Sequence, residues 1–149
     1  MLPGHRSAWG FWLPAAAAGI YPDGLAYFNE AACLTTNPGA IGLDGGTRCG
    51  PLWLDESNVD WGQSLKQGKA WVDRNAQGQS VHLAYFGSFP ASAYGLNVAC
   101  VGPHELARDP EAGIYVVSAH FAARAQAVWL RNPTEIIGHS MYVYRIQGR

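Results

Sequence analysis

The run LDESNVDWGQS, residues 54–64, concentrates three carboxylates, an asparagine and a glutamine in a chain that has few charges. Asp55 and Asn58 are the members best suited to bind a ligand, because carboxylate and amide groups form hydrogen bonds with a polyhydroxyl compound such as a sugar. Trp53, Tyr85 or Tyr94 would stack on the apolar face of a sugar ring. These residue types predict a carbohydrate-binding site.

The same run has a structural explanation, which the residue types favour. Ser57 and Asp60 have the spacing of a capping box at the N-terminus of a helix, where Asn58 would bind loop backbone groups. A hydrolytic acid and base, Asp55 with Glu56 or Asp60, form the third alternative, because glycosidases use two carboxylates about 5 to 10 Å apart. Asp55 and Glu56 do not suit that role, since neighbouring residues in a strand point to opposite faces. We therefore predict no catalytic residue.

Hydrophobic periodicity and turn residues predict the elements that position this run. The predicted strands are 51–56, 81–87, 113–121 and a final strand or hairpin at 135–146, bent near Gly138. The predicted helices are a short one in 21–33 capped by Asp23, a long one from about 58 to 74, and one at 122–132. We expect Trp61, Leu65 and Val72 to pack the long helix on the sheet.

This alternation predicts a single α/β domain over residues 21–149, preceded by an irregular apolar N-terminal arm over residues 1–20. Right-handed crossovers favour a mainly parallel or mixed sheet of about four to five strands with flanking helices. Ligands bind beyond the carboxyl ends of the strands in such sheets. Asp55, Tyr85 and His120 are therefore expected to share one rim.

The composition excludes several classes of function. Ten Lys and Arg residues stand against eleven Asp and Glu, so the net charge is -1, and no basic stripe is present to bind nucleic acid. The five His and three Cys lack the spacing of metal ligands, and no phosphate-binding glycine motif occurs. We predict no metal site and no cofactor.

The apolar run at residues 8–20 is too short, and too interrupted by proline, for a transmembrane segment. Residues 1–20 loosely resemble a signal peptide, but a packed arm suits the two Trp and the Pro equally well. An aromatic arm often buries itself in a partner chain, so Trp9, Phe11 and Trp12 indicate a possible homodimer.

The chain has three cysteines, so at least one of them cannot form a disulfide within the chain. Cys33 and Cys49 flank a loop rich in Gly, Thr and Asn, and a disulfide between them would close it if the chain is exported. We expect three unpaired thiols, including Cys100, with this disulfide as the alternative.

Five stretches together carry a resemblance to a known family: YPDGLAYFNEAA, LDESNVDWGQSLKQGKAWV, VHLAYFGSFPASAYGL, GIYVVSAHF and WLRNPTEIIGHSMYVYRI. In order and spacing they resemble the soluble C-terminal domain of bacterial membrane glycosyltransferases related to the protein O-mannosyltransferases. The resemblance covers roughly residues 21–146 and is most specific at 55–63. Ser64 departs from it, since the family usually has Asp there, and so do the two cysteines before Trp53.

The resemblance implies a domain fold and an extracytoplasmic accessory role, but no activity, because the family's catalytic acids lie in its membrane-embedded part. A cytoplasmic location is the expectation if no signal is cleaved. We predict a non-catalytic accessory or binding domain, with a carbohydrate as its possible ligand. The alternatives are a small free-standing carbohydrate-active hydrolase and an orphan protein that acts through self-association.

Overall fold

The computed structural model describes residues 6–54, 59 and 61–148, with side chains described from residue 11 onward. Five helices lie in this part of the chain: α1 (Arg6–Ile20), α2 (Ala31–Leu34), α3 (Leu65–Asn75), α4 (Pro103–Leu106) and α5 (Ala119–Arg124). The strands are β1 (Val81–Ala84), β2 (Ala99–Cys100), β3 (Gly113–Ser118), β4 (Glu135–Ile137) and β5 (Met141–Ile146). Short 3-10 turns connect several of them.

The five strands form one mixed sheet in the order β2-β1-β3-β5-β4. β1 pairs in parallel with β2 and with β3, while β5 pairs antiparallel with β3 and with β4. The predicted α/β fold with a mixed five-stranded sheet is therefore confirmed.

β3 lies at the centre of the sheet because its residues are apolar on both faces. Ile114 and Val116 pack with Leu65 and Trp71 of α3 on one face. Val117 belongs to the core cluster on the other face, which includes the residues Leu106, Leu130 and Tyr144. A continuous run of β-branched and aromatic residues is typical of a strand that is covered on both sides.

The predicted long helix is present as α3, and two of its three predicted packing residues are confirmed. Leu65 is buried and Val72 is partly buried in the core. The prediction for Trp61 is wrong, because this side chain is 53% exposed and lies before the helix. Gly62 precedes α3 with a φ of +84°, outside the helical region, so the helix begins later than predicted. The predicted capping residues Ser57 and Asp60, and Asn58 beside them, lie outside the described residues.

The predicted strand at 113–121 ends early, at Ser118. The Ser118 hydroxyl accepts a hydrogen bond from the Phe121 amide at 3.5 Å, which caps α5. The helix predicted at 122–132 accordingly starts earlier, and it ends before Gln126, whose φ is +50°. The hairpin alternative for 135–146 is confirmed, with Gly138 at φ +57° in its turn.

The predicted strand at 51–56 is wrong for its described residues. Gly50–Leu52 forms a 3-10 turn, and the amides of Leu52 and Trp53 bond the Cys49 and Gly50 carbonyls at 3.0 and 2.9 Å. These donors are used locally, so they are not available to a neighbouring strand. Trp53 and Leu54 are exposed.

The N-terminal arm is helical rather than irregular. Its alanine-rich sequence favours α1, which is fixed to the domain at its C-terminal end, where Ala16 and Ile20 are buried. Phe11 and Trp12 are 80% and 43% exposed. None of the described helices is long and apolar enough to span a bilayer.

The segment that follows α1 is held together by a disulfide. Cys33 and Cys49 are bonded, so the expectation of three unpaired thiols is wrong, and only Cys100 is free. Only a 3-10 turn, Gly24–Ala26, and α2 form in the predicted helical stretch 21–33. The Asp23 carboxylate does not cap this turn, because it bonds His139 and Gln67 instead.

Candidate ligand-binding cleft

Two of the predicted rim residues, Tyr85 and His120, lie beyond the carboxyl ends of the parallel strands β1 and β3. His120 is 6% exposed, and its ring lies 4.5 Å from the Phe86 ring and 5.2 Å from the Phe121 ring, measured between centroids. This position places the imidazole inside an aromatic cluster rather than on an open surface. The prediction that His120 extends a strand is wrong, because it belongs to the first turn of α5.

The Tyr85 hydroxyl group is engaged within the protein. It donates a hydrogen bond to the carbonyl of Phe89, and the half-buried ring packs against the core. Burial, with a smaller effect of Cys100 and Tyr94, raises the pKa of the Tyr85 phenol. Tyr85 therefore contributes mainly to the packing and hydrogen bonding of its own loop.

The other predicted site residues are dispersed. Tyr94 ends a 3-10 turn and packs against the core on the α3 face of the sheet. Trp53 belongs to the N-terminal segment, where its indole Nε1 donates to the Ala32 carbonyl at 2.8 Å. Asp55 and Asn58 lie outside the described residues. The described members of the predicted site thus do not converge on one concave surface.

A concave surface lies beside Tyr142 of β5. Two adjoining clefts of about 770 and 540 Å³ share five lining residues: Arg48, Leu52, Leu130, Arg131 and Tyr142. We call the two together the Tyr142 cleft. Volumes of this size are typical of small-molecule sites.

Two parts of the chain that are distant in sequence build the Tyr142 cleft, the N-terminal segment and the stretch from α5 to β5. The N-terminal segment contributes Thr36 and Asn37 together with Arg48, and the Cys33–Cys49 disulfide fixes this wall. The segment after α5 contributes Asn132 and Thr134, whose amide and hydroxyl groups suit hydrogen bonding to a polar ligand. Alanines of α5 form the apolar side.

The Tyr142 phenol is half-buried at the base of the cleft. Burial raises its pKa to about 12, although the Arg48 guanidinium acts in the opposite direction. The phenol is therefore neutral at physiological pH and has a proton to donate.

One described carboxylate, Glu135, lines the cleft, and it already has partners. Its Oε2 accepts a hydrogen bond from the Trp71 indole at 2.7 Å, and its Oε1 lies 3.7 Å from the Arg145 guanidinium. A glycosidase requires two carboxylates on either side of the scissile bond. The described residues of the cleft therefore suit binding better than hydrolysis.

A buried polar cluster supports one end of the cleft. His139 Nδ1 lies 3.0 Å from a carboxylate oxygen of the buried Asp23, and Gln67 donates to the other oxygen at 3.3 Å. The hydroxyls of Ser64 and Ser140 lie 2.8 Å apart beside them. A small cavity of about 190 Å³ next to this cluster is also lined by Arg48 and Tyr142. The cluster joins the N-terminal segment and α3 to the β4–β5 turn.

The sequence contains no motif for the Tyr142 cleft, because Arg48, Arg131 and Tyr142 stand far apart in three unrelated contexts. Two weak features of the sequence point to residues of the cleft. Arg48 is next to a cysteine of a possible disulfide, and Tyr142 alternates with Met141 and Val143 along a strand, so it lies on the opposite face from them.

No metal site is evident in the part of the chain that the structure describes, where no three Asp, Glu, His or Cys side chains are grouped to hold an ion. Comparison of the chain with family models, curated proteins and solved structures finds no match. The resemblance to the soluble domain of membrane glycosyltransferases consequently stays a prediction.

Proposed function

We propose that this protein is a non-catalytic binding domain whose ligand, a carbohydrate or another polyhydroxyl compound, occupies the Tyr142 cleft. The observation that carries the proposal is the lining of the cleft. Amide, hydroxyl and guanidinium groups stand beside the aliphatic side chains of Leu52 and Leu130, which matches the mixed polar and apolar surface of a sugar.

An extracytoplasmic accessory role is supported by the disulfide between Cys33 and Cys49, since disulfides persist in oxidising compartments. The resemblance to the domain that follows the membrane helices of glycosyltransferases points the same way. The rival function, hydrolysis of a carbohydrate, has less support because Glu135 is already engaged. Turnover of chromogenic glycosides by the purified protein would favour the hydrolase.

Binding is tested by calorimetric titration with glucose, mannose, galactose and cellobiose, using wild type and Tyr142→Phe. The hydroxyl deletion should weaken binding about fivefold, because one hydrogen bond contributes about 1 kcal/mol. Tyr85→Phe is the matched control, since it removes the same group from the predicted rim. Loss of binding in Tyr85→Phe with unchanged binding in Tyr142→Phe would move the site to the rim. Absence of binding by these four sugars and by the acidic compounds glucuronate and glucose 6-phosphate would refute the proposal.

Self-association is a second candidate function, favoured by the exposed side chains of α1. Phe11, Trp12 and Leu13 are 80%, 43% and 73% exposed, which is unusual for neighbouring large apolar residues. The side chain of Trp9, the third predicted dimer residue, lies outside the described part.

Sedimentation velocity distinguishes a dimer from a monomer. Wild type is expected to sediment as a dimer, and Phe11→Ser/Trp12→Ser as a monomer, because the substitutions remove the apolar surface that a partner would cover. Leu34→Ser, at another exposed apolar position, is the control and should leave the dimer intact. A wild-type monomer at high protein concentration would eliminate this function.

A further inference from the structure

Two arginines, Arg48 and Arg131, line the Tyr142 cleft. Arg48 lines both parts of the cleft and the small cavity beside it. Its backbone is fixed by the adjacent disulfide and by the bond from the Cys49 amide to the Gly46 carbonyl at 3.0 Å. Arg131 lines both parts of the cleft from the other segment, directly after the 3-10 turn Val128–Leu130. Both arginines therefore stand on backbone segments of defined conformation.

Neither guanidinium forms an ion pair with an acid among the residues that the structure describes. Glu135 is paired with Arg145 and bonded by Trp71. Asp44 faces the small cavity, where its carboxylate lies 4.0 Å from His139 Nε2. The positive charge of Arg48 and Arg131 is thus left for a ligand.

The third polar group of the cleft, the Tyr142 phenol, keeps its proton at neutral pH like other tyrosines, and burial raises its pKa further, to about 12. Guanidinium groups have only donors, and the phenol adds one more donor. Such a set is best satisfied by an oxyanion, which accepts several hydrogen bonds at once.

We propose that the ligand of the Tyr142 cleft is an acidic sugar or a comparable polyhydroxyl compound, whose carboxylate or phosphate group is bound by Arg48 and Arg131. This inference rests on the proposed function and specifies the chemistry of its ligand. A planar carboxylate and a tetrahedral phosphate both offer oxygen atoms that guanidinium groups bind, so the test includes one compound of each kind.

The test compares glucose, glucuronate and glucose 6-phosphate in calorimetric titrations of the wild-type protein. We expect at least one of the two acids to bind about tenfold or more tightly than glucose, since charge-assisted hydrogen bonds are about twice as strong as neutral ones. Preference for glucuronate would identify a carboxylate site, and preference for the phosphate ester a phosphate site. The preferred acid should lose affinity as salt is added.

Arg48→Gln, Arg131→Gln and the double variant should remove most of this preference, so that the affinity for the acid approaches the affinity for glucose. Arg74→Gln is the control, because this exposed arginine on α3 has the same charge and does not line the cleft. Equal binding of glucose and both acids to wild type would overturn the inference and leave the proposed function standing. Binding of no probe would refute both, and an equal effect of Arg74→Gln would show a general effect of net charge, which also overturns the inference.

Discussion

Replacing both Cys33 and Cys49 by serine is expected to lower the free energy of unfolding by about 3 kcal/mol. The bond closes a loop between residues 16 positions apart, and a cross-link of this length removes conformational freedom mainly from the unfolded chain. Both cysteines are buried in a segment that has little regular secondary structure to replace the lost constraint. Chemical denaturation measures the change.

Cys100→Ser is the matched control, because Cys100 is free and exposed, and it should leave the free energy of unfolding unchanged. Wild type treated with a thiol reductant should match the double serine variant. The disulfide also fixes the wall that contains Arg48, so the double variant should bind the preferred sugar more weakly. Equal stability of the double variant and wild type would mean that the N-terminal segment is held by its other contacts.

Gly138→Ala should lower the free energy of unfolding by about 3 kcal/mol. Gly138 has a φ of +57° in the β4–β5 turn, a conformation that disfavours any side chain. An added Cβ would also lie 2.5 Å from Gln67 Oε1, 3.0 Å from the Asp23 carboxylate and 3.1 Å from the Ser64 hydroxyl. The substitution therefore adds crowding of the buried polar cluster to the backbone strain.

Comparison with Gly78→Ala separates the backbone strain from the crowding of the polar cluster. Gly78 has a similar φ of +71°, but no heavy atom lies within 4 Å of the added Cβ, so this variant should lose only about 1 kcal/mol. The difference between the two variants measures how tightly the polar cluster is packed. Equal losses would show that the groups around Gly138 move aside without cost, contrary to the close packing described above.

Four of the five strands, β1, β3, β4 and β5, could be predicted from the sequence because their signals are local, whereas the two-residue strand β2 was not predicted. The β-branched run in β3 and the turn at Gly138 lie within a few residues of the structures that they specify. The ends of helices and strands were harder to predict from the sequence. The end of β3 depends on Ser118, which both continues a strand pattern and caps a helix, and the start of α3 depends on the backbone at Gly62.

The candidate site could not be predicted because it depends on contacts between distant segments. Asp23 meets His139 across a separation of 116 residues, and Arg48 comes near Tyr142 only after the N-terminal segment packs beside β5. The polar residues concentrated at 54–64 form the most conspicuous local pattern, and they lie in another part of the chain. Residues that line a cleft need not be neighbours in sequence, and no local sequence pattern identifies the residues of the Tyr142 cleft.

The most direct test of the central claim, that the ligand occupies the Tyr142 cleft, is to follow the backbone amide chemical shifts of isotopically labelled protein during titration with glucose and glucuronate. We predict saturable changes at Arg48, Asn132 and Tyr142, with little change at Tyr85 and His120. Saturable changes confined to Tyr85 and His120, or no saturable change with either compound, would contradict the claim.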